Sequence, residues 1–254
     1  MAIRKLLVRL ALITLGYAVS ATGAEAWFLQ ADPAGYKADI DLYRYVHNDP
    51  INETDPTGLA GCDSTLQGGD CDTVMSAQAQ ALSAVQQTRT ALGNLQAERS
   101  EIKTGSRSEL SSAAKSTEAA VQKAFGSSSN SVVSNVNTNL GKVEAFLADP
   151  GRANGGQYDY RTATASEVAA FPSADAVFSR NMPNTFGLNS SIYNNSGADN
   201  QVQAVIHDSL HVFGLGREEL YRGDAIARAQ SSGGTNWALN NPDNYACLVV
   251  PSPC

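Results

Sequence analysis

The sequence has no basic excess. Its formal net charge is −7 and its pI is near 4.9. That balance argues against nucleic acid as a main partner, because phosphate binding draws on a basic face; a local basic patch is still compatible with it. No acidic run is long enough to form a disordered tail. None of the four cysteines forms a Cys-x-x-Cys pair, which argues against a zinc ribbon or a thioredoxin-type motif. The N-terminal apolar stretch, Leu10 to Val19, is too short for a comfortable membrane span. Histidine is scarce as well, with three in 254 residues.

What is present bounds the class. Apolar residues make up 43% of the chain, enough for a sizeable core. Arg4 and Lys5 precede the apolar stretch, and Ala24-Glu25-Ala26 follows it as an A-x-A site. Residues 1–26 therefore read as a cleaved signal peptide, the alternative being an uncleaved anchor. The expectation is a secreted or periplasmic protein with no stable membrane span after cleavage. Cys62 lies close to Cys71, and Cys247 to Cys254. Outside the cytosol these would close two short disulfide loops; inside it they would be four free thiols.

Residues 27–59 are rich in tyrosine, aspartate, proline and glycine. Asp32-Pro33-Ala34-Gly35 and Asp55-Pro56-Thr57-Gly58 are turn signals, with proline fixing φ at one corner and glycine accepting positive φ at another. They flank a short tyrosine-rich strand candidate around Tyr43 and Tyr45.

Residues 60–148 are rich in alanine, serine and glutamine. Val74, Ala77, Ala81, Val85, Leu92 and Leu95 recur at helical spacing. Gly105 separates two predicted helices, with Ser106 or Ser108 as a cap. Val132, Val133, Val136, Leu140, Val143 and Phe146 predict a third helix over 130–148, stopped by Asp149-Pro150-Gly151. Between 157 and 206, "ADAVFS" and "NSSIYNN" are candidate short strands. A helix follows over 200–212, with Val202, Val205, Ile206, Leu210 and Val212 as its apolar positions.

That helix carries His207 and His211. At i and i+4 both imidazoles share one face, one turn apart, where both can reach one ion. Catalytic zinc usually takes three protein ligands plus water. In the helical H-E-x-x-H form the residue after the first histidine is the general base. Here that position holds Asp208, with the same acid group on a stem one methylene shorter. The alternative is a histidine pair that shares a helix and binds no metal.

Two family resemblances add to this reading. The 27–59 stretch resembles the end of the RHS-repeat core, the junction where such proteins hand over to a variable C-terminal toxin. The resemblance implies self-cleavage after Leu59 supported by Asp32 and Asp55, a short core remnant over 27–59, and a toxin domain over 60–254. Gly216-Arg217-Glu218-Glu219-Leu220-Tyr221-Arg222-Gly223, following the histidines, resembles the aspzincin metallopeptidases (deuterolysins and lysine-specific metallo-endopeptidases). In that family H-E-x-x-H is followed by G-T-x-D-x-x-Y-G, whose aspartate is the third zinc ligand. In register both glycines match, Glu219 falls at the aspartate, Arg217 replaces the threonine and Arg222 replaces the tyrosine. Looser likenesses are "AFGSSSNSVVSNVNTNLGKVEAFL" and "NPDNYACLVV", the latter resembling the family's closing Asn-x-Asp-x-Tyr helix.

The expected fold is mainly α with a small β element, a zincin-like α+β arrangement. The expected function is a zinc-dependent, peptidase-like toxin domain that hydrolyses peptide bonds with metal-activated water. Zn2+ would be held by His207, His211 and Glu219, with Glu218 and Asp224 as fallback ligands. Asp208 would be the base, and Tyr221 or Tyr245 would donate to the oxyanion. The expected partners are a protein or peptide substrate and, through the RHS resemblance, a cognate immunity protein. Two alternatives stand beside it: a weakened or inactive zinc-binding homologue acting as an interaction module, and a nuclease or ADP-ribosyltransferase toxin.

Overall fold

The computed structural model describes residues 62, 65–66, 68–148, 160–178, 185–216, 220–252 and 254. The expected signal segment and the RHS-like stretch, with Asp32, Asp55 and Leu59, lie outside the described residues. So does the stop at Asp149-Pro150-Gly151. Nine helices and a three-stranded sheet appear among the described residues, so the fold is mainly α with a small β element.

The long helix α1 (Gly68–Thr104) forms one wall. Val74, Ala81, Val85, Leu92 and Leu95 are completely buried along it, and Ala77 nearly so. These are the positions that the helical spacing picked out. Fully burying a valine or leucine contributes about 1.5–3 kcal/mol, so this stripe outweighs any single polar contact in the region. Helix α2 (Ser112–Phe125) folds back on α1. Its cap is Ser111 rather than Ser106 or Ser108. The Ser111 hydroxyl accepts from Ala114 N, while Glu98 of α1 accepts from the Ser111 backbone and hydroxyl at 2.7 and 2.8 Å. A carboxylate on the neighbouring helix selects the cap, which local spacing does not reveal. Helix α3 (Asn130–Ala148) buries Val132, Val133, Val136, Leu140, Val143, Phe146 and Leu147 and packs on α1.

Three short strands follow. They are β1 (Tyr160–Thr162), β2 (Ala176–Phe178) and β3 (Phe186–Leu188), in the order β1-β3-β2. β3 runs parallel to β1, pairing Tyr160 with Phe186, and antiparallel to β2, pairing Ala176 with Leu188. Helix α4 (Ala165–Ala170) lies between β1 and β2 in the chain and starts with a Thr164/Glu167 capping box. "ADAVFS" thus holds a strand, as expected. "NSSIYNN" does not: it forms the short helix α5 (Ser190–Tyr193), with Tyr193 buried. Ile192 and Tyr193 are adjacent apolar residues, so the alternation that a strand requires is missing.

Helix α6 (Ala198–Val212) carries the two histidines. It packs against α1, α3, β2 and the last helix, α9 (Pro242–Val249). Helices α7 (Arg222–Ala229) and α8 (Gly234–Ala238) connect α6 to α9 and pack on each other. Val202, Val205, Ile206 and Leu210 face the core, and Val212 is half-buried.

Two disulfides close, Cys62–Cys71 and Cys247–Cys254, and no described cysteine is free. The first ties the chain before α1 to its first turn. The second ties the C-terminus to α9, where Gln203 of α6 donates to the Val250 carbonyl at 2.6 Å. Such bonds fit an oxidising compartment. Among the described residues no helix is long and apolar enough to cross a membrane.

Candidate metal centre

His207 and His211 face each other from successive turns of α6. Their Nε2 atoms are 3.0 Å apart, with ring centroids at 4.8 Å. The far side of each ring is anchored. His211 Nδ1 lies 3.0 Å from the Leu215 carbonyl, which can only accept, so this nitrogen carries the proton. His207 Nδ1 lies 2.8 Å from Asp243 Oδ2, a carboxylate that likewise demands a donor. That contact is close but off-line: Oδ2 is buried and has no hydrogen bond of good geometry. The ring beside it is held by proximity to the charge more than by alignment.

The Leu215 carbonyl decides the tautomer of His211, and the Asp243 charge favours a proton on His207 Nδ1. With a proton on each Nδ1, a neutral ring presents a bare lone pair at Nε2. Two lone pairs 3.0 Å apart repel unless a cation lies between them. A shared proton would answer this, and so would a metal ion. Two imidazole nitrogens bound to one zinc at about 2.0–2.1 Å with tetrahedral angles stand about 3.3 Å apart, close to the observed separation. The carboxylate of Asp208 completes a group whose ligand atoms all lie within 4.8 Å of one another. His207, Asp208 and His211 could therefore hold a metal ion. Asp208 is 5% exposed and both histidines are half-buried, so the group sits at the edge of the core.

Local sequence explains the anchors. Gly214 adopts φ 79°, a left-handed conformation that glycine reaches without a Cβ penalty. It turns the chain sharply after α6, so that Leu215 N returns to the Leu210 carbonyl at 3.3 Å. The Leu215 carbonyl is thereby brought to His211. Asp243 comes from the first turn of α9, with Pro242 at the helix start. The preceding Asn241 donates to the Leu220 carbonyl at 3.0 Å, and Asn244 donates to Ala124 and Ala225 carbonyls at 2.7 and 3.2 Å. The Asn-Pro-Asp-Asn turn thus pins the chain around 220–225 against α2 and holds it beside the histidines.

The residues expected at the site fare differently. His207, His211 and Asp208 come together. Tyr221 joins them, its ring stacked on His207 at 5.9 Å and 20° while 60% exposed. Tyr245 does not. It is completely buried, edge-on to Phe125, and its hydroxyl donates to the Leu239 carbonyl and accepts from Asn139. Burial pushes its pKa up to about 12; with its hydroxyl enclosed and taken up by core partners, it packs as a core tyrosine. Asp224 is exposed in the first turn of α7 and stands outside the His207–Asp208–His211 group. Glu218 and Glu219 lie outside the described residues.

Three neighbours were not expected. Asp243 had a visible signal, since "NPDNYACLVV" stood out, but nothing in its spacing says which side chain meets a histidine. Asp175, at the head of β2, feels both His207 and Arg222. Burial, its largest influence, raises its pKa, while backbone N–H groups and then the electrostatic influence of His207 and Arg222 lower it. Tyr193 is buried, and its pKa is raised first by that burial and then by the Asp175 and Asp208 charges. No sequence pattern links these residues to the histidines.

Comparison with family models, with curated proteins and with solved structures finds no match for this chain.

Proposed function

We propose that the His207–Asp208–His211 group is a zinc site and that the protein is a zinc-dependent hydrolase acting on peptide bonds. The observation that supports this most directly is the pair of Nε2 atoms 3.0 Å apart with each Nδ1 facing an oxygen, the Leu215 carbonyl or the Asp243 carboxylate. A proton alone would satisfy the rings, but it gives no reason for a third oxygen donor beside them. Zinc at this position would supply a Lewis acid that polarises a carbonyl and acidifies water.

The chain's own residues then have separate tasks. His207 and His211 would bind through Nε2, oriented by Asp243 and Leu215. Asp208 would accept a proton from the attacking water and return it to the leaving amine. Tyr221, stacked on His207 and open to solvent, would donate to the charge that develops on the carbonyl oxygen. The third protein ligand proposed is Glu219, from the aspzincin-like octet. With the signal-like N-terminus, the two disulfides and the RHS-like stretch, the reading is of a secreted toxin module. An immunity protein would be its expected antagonist.

The weakened-enzyme reading has its own support: Asp208 is one methylene short of the usual base and is buried. One experiment tests both. The full chain is assayed for zinc content and for casein hydrolysis, beside His211→Ala and Asp208→Glu. Near-stoichiometric zinc and proteolysis, both lost in His211→Ala, support the hydrolase. Zinc without proteolysis, with activity appearing in Asp208→Glu, identifies a weakened enzyme. A chain that binds no zinc sinks both.

A further inference from the structure

Arg222 is the one described non-glycine residue with positive φ, at 48°. Such a backbone is strained, and it persists only where surrounding contacts over-determine it. Here they do. The Arg222 backbone N–H donates to Asp243 Oδ1 at 3.0 Å, and the other oxygen of that carboxylate faces His207. Tyr221, extended at φ −110°, lays its ring on His207. The left-handed residue that follows then sends its side chain a different way, to Asn200.

That direction places a cation. Asn200 Oδ1 accepts from the Arg222 guanidinium at 3.0 Å. Asn200 and His207 are seven residues apart on α6, on one face, with a rise of about 10.5 Å between them. Arg222 is exposed, and the charge of its guanidinium reaches Asp175. Among the described contacts the guanidinium uses one donor, on a neutral amide, of the five it has. A planar guanidinium with donors to spare, about two helical turns from a metal-binding pair, is suited to a bidentate carboxylate.

We infer that Arg222 is a specificity residue of this site, recognising a carboxylate on the ligand whose carbonyl lies at His207 and His211. The inference rests on the metal reading above. The carboxylate has two sources, a chain terminus or an acidic side chain. A hydroxyl or an amide would leave the guanidinium's charge unmatched.

The test uses the zinc-loaded full chain and three malonyl hydroxamates, whose hydroxamate binds zinc directly. One is coupled to leucine with a free α-carboxylate, one to leucine amide, and one to glutamic acid α-amide. Affinity is read by titration calorimetry. The expected result is a gain of about tenfold for one carboxylate probe over leucine amide, the order for one charge-assisted bidentate pair. Whichever probe gains names the source. The gain should disappear in Arg222→Gly, since glycine keeps the positive φ and the backbone donor to Asp243 while removing the guanidinium. Arg222→Lys should retain part of it. Equal affinities for the three probes overturn the inference and leave the metal site standing, as does a gain that survives in Arg222→Gly. The wild-type comparison alone can refute it, should the glycine variant not fold. Failure to bind zinc removes the metal reading and this inference together.

Discussion

Asp243 holds its two carboxylate oxygens on two different targets, His207 Nδ1 at 2.8 Å and Arg222 N at 3.0 Å. One residue at the start of α9 therefore sets a negative charge beside a metal-capable histidine and holds the backbone of the residue that flanks it.

Asp243→Asn keeps the shape and removes the charge. An amide places no negative charge beside His207 Nδ1, so Nε2 becomes a poorer ligand. Zinc affinity, measured by competition with a chromophoric chelator, should fall about 10–100-fold. Unchanged affinity would mean that this contact does not orient the ring.

His207→Ala and His211→Ala should each abolish stoichiometric zinc binding, read by elemental analysis of purified protein. Asp208→Asn should separate base from ligand. As the base, Asp208 is dispensable for zinc, and the variant loses hydrolysis while keeping metal. As the third ligand, it takes the metal with it.

Gly214→Ala tests the turn that delivers the Leu215 carbonyl. A Cβ at Gly214 meets nothing within 4 Å, so its cost is conformational rather than steric. At φ 79° that cost is about 1–2 kcal/mol. Urea unfolding should show it, and zinc affinity should fall alongside as His211 loses its anchor.

Glu167 pairs with Arg161 through two hydrogen bonds at 2.7 and 2.8 Å. This pairing lowers its pKa from 4.5 to about 2. A carboxyl with a depressed folded-state pKa contributes stability above its unfolded value. That contribution is full above about pH 4.5 and disappears as pH falls through about 2. Urea unfolding at pH 6 and pH 2.5 should show Glu167→Gln less stable by about 1–2 kcal/mol at the higher pH, with a smaller difference at the lower. A gap that does not depend on pH would place the effect in packing.

Cys247→Ser with Cys254→Ser opens the C-terminal clip. A loop of this size contributes about 2–3 kcal/mol, so chemical unfolding should shift by that amount. Reducing the parent chain should shift it further, because the Cys62–Cys71 bond opens as well.

The helices that carry the core were legible because each repeats a short-range rule. The α1 stripe, the α3 stripe and the apolar face of α6 need only the 3.6-residue period. His207 and His211 were legible for the same reason, since i and i+4 fall on one face of any helix. "NSSIYNN" misled because two adjacent apolar residues in a polar segment satisfy neither period well. The Ser111 cap depends on Glu98 from another helix, and Tyr245 looked like a site residue until its hydroxyl proved to be taken up by Leu239 and Asn139.

Local spacing by itself determined a helical protein with two imidazoles on one helical face. Only the tertiary structure decided what stands behind those rings. Asp243 reaches His207 from α9 and Arg222 answers Asn200 across the chain, because packing brings together groups that no period in the sequence relates. A helical repeat acts over a few residues, whereas the charge that favours a tautomer acts over a few ångströms, whatever the distance along the chain.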